Sequence, residues 1–174
     1  PGVGPVPLGS VITFKDGSAT LGTGTTDSTG VASYSTTALT DGNHSITAVY
    51  PGNTNFTTST SSAVAQLVKG TSVFSSLVPS SASITYGQAN IAVSGQVANA
   101  TKTVFAASGE TVTVTINGTS LPMTIVGSNG SFSGTFDTHT IPASGSPYTI
   151  SYSYPGDANL TASSDISSKL TISK

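Results

Sequence analysis

Side chains that could act as a catalytic base are scarce in this sequence of 174 residues. Activating a serine nucleophile needs a base such as histidine beside it, and glycoside hydrolysis needs two carboxyl groups at the scissile bond. His44 and His139 are the only histidines, and Glu110 is the only glutamate. Both histidines adjoin turn-forming or hydroxyl residues, which is typical of turns and strand ends. The sequence therefore predicts no catalytic residues, no cofactor and no enzymatic activity.

Two short loops, residues 53–55 and 157–159, carry Asn and Asp oxygens of the kind that calcium prefers. Side chains in such loops more often accept hydrogen bonds from their own backbone, and too few carboxylates converge for a tight site. An intramolecular crosslink between lysine and asparagine would need a buried lysine beside an acidic residue, and Lys15 and Glu110 are the candidates. We predict Asx turns and no metal site.

The acceptor sequence for N-linked glycans, Asn-x-Ser/Thr, is frequent in this chain. Six of the eight asparagines begin it. A glycan would add solubility to a surface that carries few charges, and Ser/Thr-linked sugars would act in the same way. The candidate acceptors are Asn43, Asn55, Asn99, Asn117, Asn129 and Asn159.

The composition excludes several classes of partner. Charged residues make up 7% of the chain, arginine is absent and the net charge is -2. Five Lys or Arg residues in all give neither a phosphate-binding surface nor bidentate base readers, which argues against nucleic acid. No apolar run reaches the roughly 18 residues of a membrane-spanning helix. The chain begins at Pro1 without a signal-peptide pattern, which is typical of a mature or excised segment.

One strand-and-turn unit occurs twice. Residues 50–56 read Tyr-Pro-Gly-Asn-Thr-Asn-Phe, residues 154–160 read Tyr-Pro-Gly-Asp-Ala-Asn-Leu, and each follows an alternating run. Self-similarity of this kind indicates a repeated module. We therefore predict two domains, residues 1–69 and 70–174. The shared turn motif consists of Tyr50, Pro51, Gly52, Tyr154, Pro155 and Gly156.

Alternation of apolar and polar residues, broken by Gly and Asp turns, predicts short strands in Greek-key sandwiches. No segment has a helical stripe, so helix is expected to be almost absent. The predicted strands are 11–15, 19–22, 31–35, 45–50 and 62–68 in the first domain, and 73–78, 83–86, 91–97, 111–116, 120–125, 131–136, 148–154 and 166–173 in the second.

Strand parity also predicts which side chains face inward before each repeated turn. We expect the rings of Tyr50 and Tyr154 to lie at the edge of the core, with their hydroxyls bonded to the backbone. The inward residues are predicted to be Ile46, Ala48, Tyr50, Ile150, Tyr152 and Tyr154.

The first domain is shorter than the second at its N-terminal side. Ten residues precede the repeated strand at Val11, whereas the counterpart strand at Val112 follows a much longer part of the second domain. The difference corresponds to about two strands. A sheet without them has unpaired edges and an uncovered face. We predict that residues 1–69 are completed by strands from outside this segment, supplied by another subunit or by upstream sequence.

Residues 9–17, 42–52 and 55–56 resemble the bacterial immunoglobulin-like repeat of long surface and secreted proteins. Residues 148–159 resemble it more loosely. The resemblance implies an all-β fold of two tandem immunoglobulin-like antiparallel β-sandwiches, the first lacking its N-terminal strands. It also implies a role in stalks, adhesins or surface fibres and transfers no catalytic residue.

We therefore expect a non-enzymatic structural module of an extracellular or cell-surface assembly, such as a fibre, stalk or filament subunit built by strand complementation. The expected partners are other copies of the chain or neighbouring immunoglobulin-like domains, with no nucleic acid and no membrane insertion. One alternative is an adhesin or carbohydrate-binding module for cell-surface glycans, which predicts clustered exposed aromatic residues. The other alternative is an accessory domain of a secreted hydrolase.

Overall fold

The structure, a computed structural model, describes residues 6–88 and 90–174. The chain divides into two compact units, residues 1–68 and 69–174, here called the first unit and the second unit. Strands form nearly all the regular structure of the described residues, and a single 3-10 turn at Ala143–Gly145 is the exception. The all-β fold class is therefore confirmed, because period-two alternation places one apolar face on each strand.

The described part of the first unit forms one antiparallel sheet of five strands. They are β1 Val11–Asp16, β2 Ala19–Thr25, β3 Gly42–Tyr50, β4 Ser59–Thr60 and β5 Val64–Val68. The order across the sheet is β2-β1-β3, and β4 and β5 pair with the two ends of β3. Phe14 lies opposite Ala48, and Ile46 lies opposite Val64. These four side chains belong to the same face of the sheet.

The second unit is a complete sandwich of eight strands. They are β6 Ser72–Val78, β7 Ser81–Thr85, β8 Asn90–Asn99, β9 Thr111–Ile116, β10 Thr119–Val126, β11 Ser131–Asp137, β12 Tyr148–Tyr154 and β13 Ser163–Ser173. The pairing order is β6-β8-β11-β10-β9-β12-β13-β7. Strand β10 pairs with β9 along residues 119–124 and with β11 through Ile125 and Val126, and so joins the two layers.

The prediction of a purely antiparallel sandwich is wrong at one edge of the second unit. Strand β7 pairs with β13 in parallel, with Ile84 opposite Ile172. The short connection between β6 and β7 carries the chain from one layer to the other, so β7 enters beside β13 in the same direction. Both isoleucines are buried in the core, which fixes the register of this pair.

The core of the second unit follows the predicted parity. Val112, Val114 and Ile116 of β9 are fully buried and alternate with partly exposed threonines. Phe74, Phe132 and Tyr152, from β6, β11 and β12, pack with ring centroids 5.9–6.2 Å apart. Aromatic contacts of this kind stabilise the fold beyond what burial of the apolar area contributes. Side chains from both layers therefore share one core.

The inward parity predicted for β3 and β12 is confirmed, but burial differs between the units. In β12, Ile150 and Tyr152 have no exposed surface and Tyr154 is 1% exposed. In β3, Ile46 and Ala48 remain partly exposed, and Tyr50 is buried. Tyr50 and Thr26 are the only buried residues in the described part of the first unit. One sheet without a second layer cannot enclose its apolar face.

The predicted strand at residues 31–35 is absent, because this segment has no strand to pair with. Its counterpart in the second unit is β11, which pairs with β8 over seven residues from Ser131 to Asp137. No strand of the described first unit takes the place of β8. A strand needs a partner for its N–H and C=O groups, so strand propensity at residues 31–35 is insufficient by itself.

The prediction that Tyr50 and Tyr154 bond the backbone through their hydroxyls is also wrong. Both hydroxyls are buried without a hydrogen-bond partner among the described residues. Burial, followed by the Asp157 carboxylate, raises the pKa of the Tyr154 hydroxyl. The tethering role belongs to Tyr34, which donates to the carbonyl of Leu21, and to Tyr148, which donates to that of Pro142.

Replacing Tyr154 with alanine is expected to lower the free energy of unfolding of the second unit by about 3–5 kcal/mol. Loss of a fully buried aromatic ring removes apolar contact and leaves a cavity. Urea unfolding of the full chain, followed by NMR signals of β9 and β12, measures this change. Tyr86→Ala is the matched control, because Tyr86 is 58% exposed and its loss should change stability by less than about 0.5 kcal/mol. Equal effects of the two substitutions would contradict the assignment of Tyr154 to the core.

Candidate functional site

An apolar groove runs along the face of the first unit's sheet that no other described strand covers. Its volume is about 760 Å³. Apart from one glutamine and a few hydroxyl residues its lining is apolar, and no lining residue carries a charge. The lining residues are Phe14, Leu21, Tyr34, Ser35, Thr36, Thr37, Leu39, Ile46, Val64, Gln66 and Val68. We call this surface the apolar groove.

The sheet beneath the groove has the same pairing as one layer of the second unit. Strands β2, β1 and β3 correspond to β10, β9 and β12, since Phe14 faces Ala48 just as Val114 faces Tyr152. In the second unit the side chain at that position, Tyr152, is covered by Phe74 and Phe132 from the other layer. The groove therefore lies where a complete sandwich has its second layer.

The segment of residues 31–35 covers only part of this face. The Tyr34 ring stacks on Phe14 with centroids 5.9 Å apart and planes at 20°. Glycines in β2 permit this approach, because a Cβ at Gly22 would come within 2.3 Å of the Tyr34 ring. A Cβ at Gly24 would come within 2.4 Å of the Ser33 carbonyl oxygen. The Gly-x-Gly pattern in a strand is the sequence signal that could have revealed this contact.

His44 connects three parts of the first unit at one end of the groove. Its Nδ1 lies 2.6 Å from Asp16 Oδ2 in β1, and its Nε2 lies 2.7 Å from the carbonyl oxygen of Thr40. Both partners are acceptors, so only the protonated imidazolium can donate to both. The hydrogen bond to Asp16, followed by that to Thr40, raises the pKa of His44. The same contact with His44 lowers the pKa of Asp16. The predicted strand-end location of His44 is correct, but its contacts are not visible in the sequence.

The other predicted site residues are not brought together in a catalytic arrangement. His139 Nδ1 lies 3.2 Å from the carbonyl oxygen of Gly87, and its backbone N–H donates to Asp137. Lys15 belongs to the first unit and Glu110 to the second. The described residues contain no group of three or more His, Cys, Asp or Glu side chains placed to hold a metal.

The two Asp/Asn-rich loops form nearly identical turns. Asn53 Oδ1 accepts from the N–H groups of Asn55 and Phe56, and Asp157 Oδ1 accepts from those of Asn159 and Leu160. These are the expected Asx turns, and their oxygens are occupied by backbone donors. The preceding glycines, Gly52 and Gly156, have φ values of 85° and 84°. Only glycine adopts that backbone freely, which explains why the motif recurs.

Burial separates the six candidate glycan acceptors. Asn99 is 2% exposed, its Oδ1 accepts from the N–H groups of Thr103 and Val104, and its Nδ2 donates to the Thr103 hydroxyl. A glycan on Asn99 is incompatible with these contacts. The other five, which remain predicted acceptors, are exposed: Asn43, Asn55, Asn117, Asn129 and Asn159.

Stability of the first unit is expected to be greatest between about pH 4 and 6.5. The raised pKa of His44 gives stabilisation that is complete below the unfolded value of 6.5 and is lost as pH rises through the folded pKa. The lowered pKa of Asp16 gives stabilisation that is present above 3.8 and is lost as pH falls through its folded pKa. Asp27, which caps a turn, also has a lowered pKa and therefore adds to the stability that is lost at acidic pH. Urea midpoints from pH 3 to 9, read from signals of β1 and β3, measure both limbs.

His44→Gln should remove the loss of stability that the first unit shows as pH rises above about 6.5. The loss of stability at acidic pH that Asp27 causes should remain. The matched control is His139→Gln, which changes the second unit and should leave the first unit's profile unchanged. An alkaline limb that persists in His44→Gln would show that another group causes it.

Comparison with known proteins identifies one part of the chain. The family model of the bacterial Ig-like domain (group 3) matches residues 1–69. No curated protein and no solved structure matches the chain. The second unit lies outside this match but has the same turn geometry and sheet pairing. This match confirms the resemblance of residues 1–69 to a bacterial immunoglobulin-like domain that their sequence motifs indicated.

Proposed function

We propose that this chain is a non-enzymatic structural module of an extracellular or cell-surface assembly, and that the first unit associates through its apolar groove. A bacterial immunoglobulin-like domain suggests a structural or surface module, and such domains are typically non-catalytic. The described residues include no helix that is long and apolar enough to cross a membrane. The observation that carries the proposal is the uncovered apolar face, whose equivalent in the second unit is fully buried.

The free energy of this face favours association. Apolar surface left in water costs about 25 cal/mol per Å², so a groove lined by Phe, Leu, Ile and Val gains stability when another β-layer covers it. The groove carries no charged lining residue, and the chain has a net charge of only -2. Electrostatic repulsion between neighbouring modules is therefore weak. Contact through added strands is the mode that also supplies hydrogen-bond partners to the backbone.

A role in glycan binding lacks a comparable feature. The exposed aromatic residues of the described chain are Tyr34, which is 37% exposed, and Tyr86, which is 58% exposed. They belong to different units, and Tyr34 is already stacked on Phe14. Clustered rings on one face would be needed to stack on sugars. The structural role is therefore the better supported of the two.

Association of the full chain should weaken when a charge is placed in the groove. Ile46→Asp places a carboxylate on the apolar face and should raise the apparent dissociation constant at least about tenfold, which corresponds to about 1.4 kcal/mol. Thr47→Asp is the matched control, because residue 47 lies on the opposite face beside Lys15. Sedimentation velocity over a range of concentrations measures the constant, and electron micrographs distinguish fibres from isolated particles.

Retained NMR signals of the β1–β3 pair show that each variant is folded. Wild-type protein that stays monomeric at every concentration, or equal association of both variants, would contradict the proposed function.

A further inference from the structure

We propose that the apolar groove accepts a two-stranded polypeptide segment with the pattern of residues 70–99, and that residues 31–35 become a strand against its second strand. The proposal rests on the proposed function and specifies the partner. The partner is a pair of strands with alternating apolar residues and no charge on the inward face. Three features of the described first unit support it.

The first feature is a segment in extended sequence that lacks a strand partner. No hydrogen bond joins the backbone of residues 32–35 to another described residue. The equivalent strand of the second unit, β11, bonds along its length to β8. An incoming strand like β8 would satisfy these N–H and C=O groups. Residues 31–35 would then pair with it in antiparallel fashion, as β11 pairs with β8.

The second feature is a pair of backbone groups at the repeated turn that bond to no other described residue. In the second unit, the N–H of Gly70 donates to the carbonyl of Asn159, and the N–H of Thr161 donates to the carbonyl of Gly70. The matching groups of the first unit are the carbonyl of Asn55 and the N–H of Thr57, and neither bonds to another described residue. The turns themselves have the same geometry. The beginning of the incoming segment fits here, as Gly70 does in the second unit.

The third feature is the size and chemistry of the groove. In β8, inward Ile91, Val93 and Val97 are buried, and Gly95 makes room for Phe132. At the centre of the sheet the first unit has Phe14 and Ala48 where the second has Val114 and Tyr152, so each face pairs one large with one small side chain. Phe74, which lies on Tyr152 in the second unit, belongs to residues 70–99, so a copy of this segment carries a large apolar side chain for the centre of the groove.

The test adds a synthetic peptide with the sequence of residues 70–99 to the isotopically labelled full chain. Amide exchange at residues 32–35 and at Thr57 should slow at least about tenfold, because exchange requires opening of the new hydrogen bonds. A peptide with Asp in place of Ile91, Val93 and Val97 is the matched control and should have no effect. In the chain, Ile46→Asp should abolish the protection and Thr47→Asp should retain it.

A fusion keeps the result decisive if the free peptide self-associates. The same 30-residue sequence is joined through a flexible linker to the N-terminal side of the full chain, with the Asp-substituted sequence as control. Protection of residues 32–35 in the first fusion alone supports the proposal. Unchanged exchange in both fusions, or protection changes confined to β8 and β11 of the second unit, overturns it.

This outcome is independent of the assembly test. Concentration-dependent association that Ile46→Asp abolishes, with no protection in the fusion, would retain the proposed function and reject this partner. Protection in the fusion without association of the wild-type chain would retain the partner and reject the assembly.

Discussion

Each sheet of this protein has one apolar face, and the need to cover that face governs the rest of the structure. The second unit meets the need with its own chain: β6, β8 and β11 place Phe74 and Phe132 against Tyr152, and the core is closed. The described residues of the first unit repeat the sheet but not the layer that covers it. Its apolar residues stay partly exposed, and a groove of about 760 Å³ remains. Apolar burial is the main favourable term in folding. The two units therefore differ in whether a second layer covers the sheet, and not in how the sheet itself is paired.

The missing layer also explains the loop that lies over the groove. Residues 31–35 carry the alternation of a strand, yet without a neighbouring strand they lie on the sheet through one aromatic contact, Tyr34 on Phe14. Glycines at positions 22 and 24 leave space for this contact, and His44 bonds the end of the same loop through Thr40. These interactions are local and few. A loop that is held in this way can be rearranged by a partner that offers hydrogen bonds and apolar surface.

The low charge of the chain is consistent with this arrangement. Only 7% of the residues are charged, and Ser and Thr occupy most outward strand positions. Their hydroxyls keep the outer faces hydrated, and their compact side chains suit a pleated surface. In the proposed association, specificity comes from shape, strand register and backbone hydrogen bonds, because the chain has too few charges for strong charge complementarity. The similar turns at Gly52 and Gly156 hold that register in both units.

The sequence by itself determined most of the strands, the turns and the inward parity of β3 and β12, because these depend on local alternation and on glycine conformations. It also indicated that the first unit lacks strands, from the unequal spacing of the repeat. Tertiary structure alone decided that residues 31–35 are not a strand, that β7 is parallel to β13, and that the Tyr50 and Tyr154 hydroxyls are unbonded. Tertiary structure alone also brought His44 to Asp16 and Thr40. Each of these outcomes depends on which distant segment lies alongside, and a strand pattern specifies a face without specifying its neighbour.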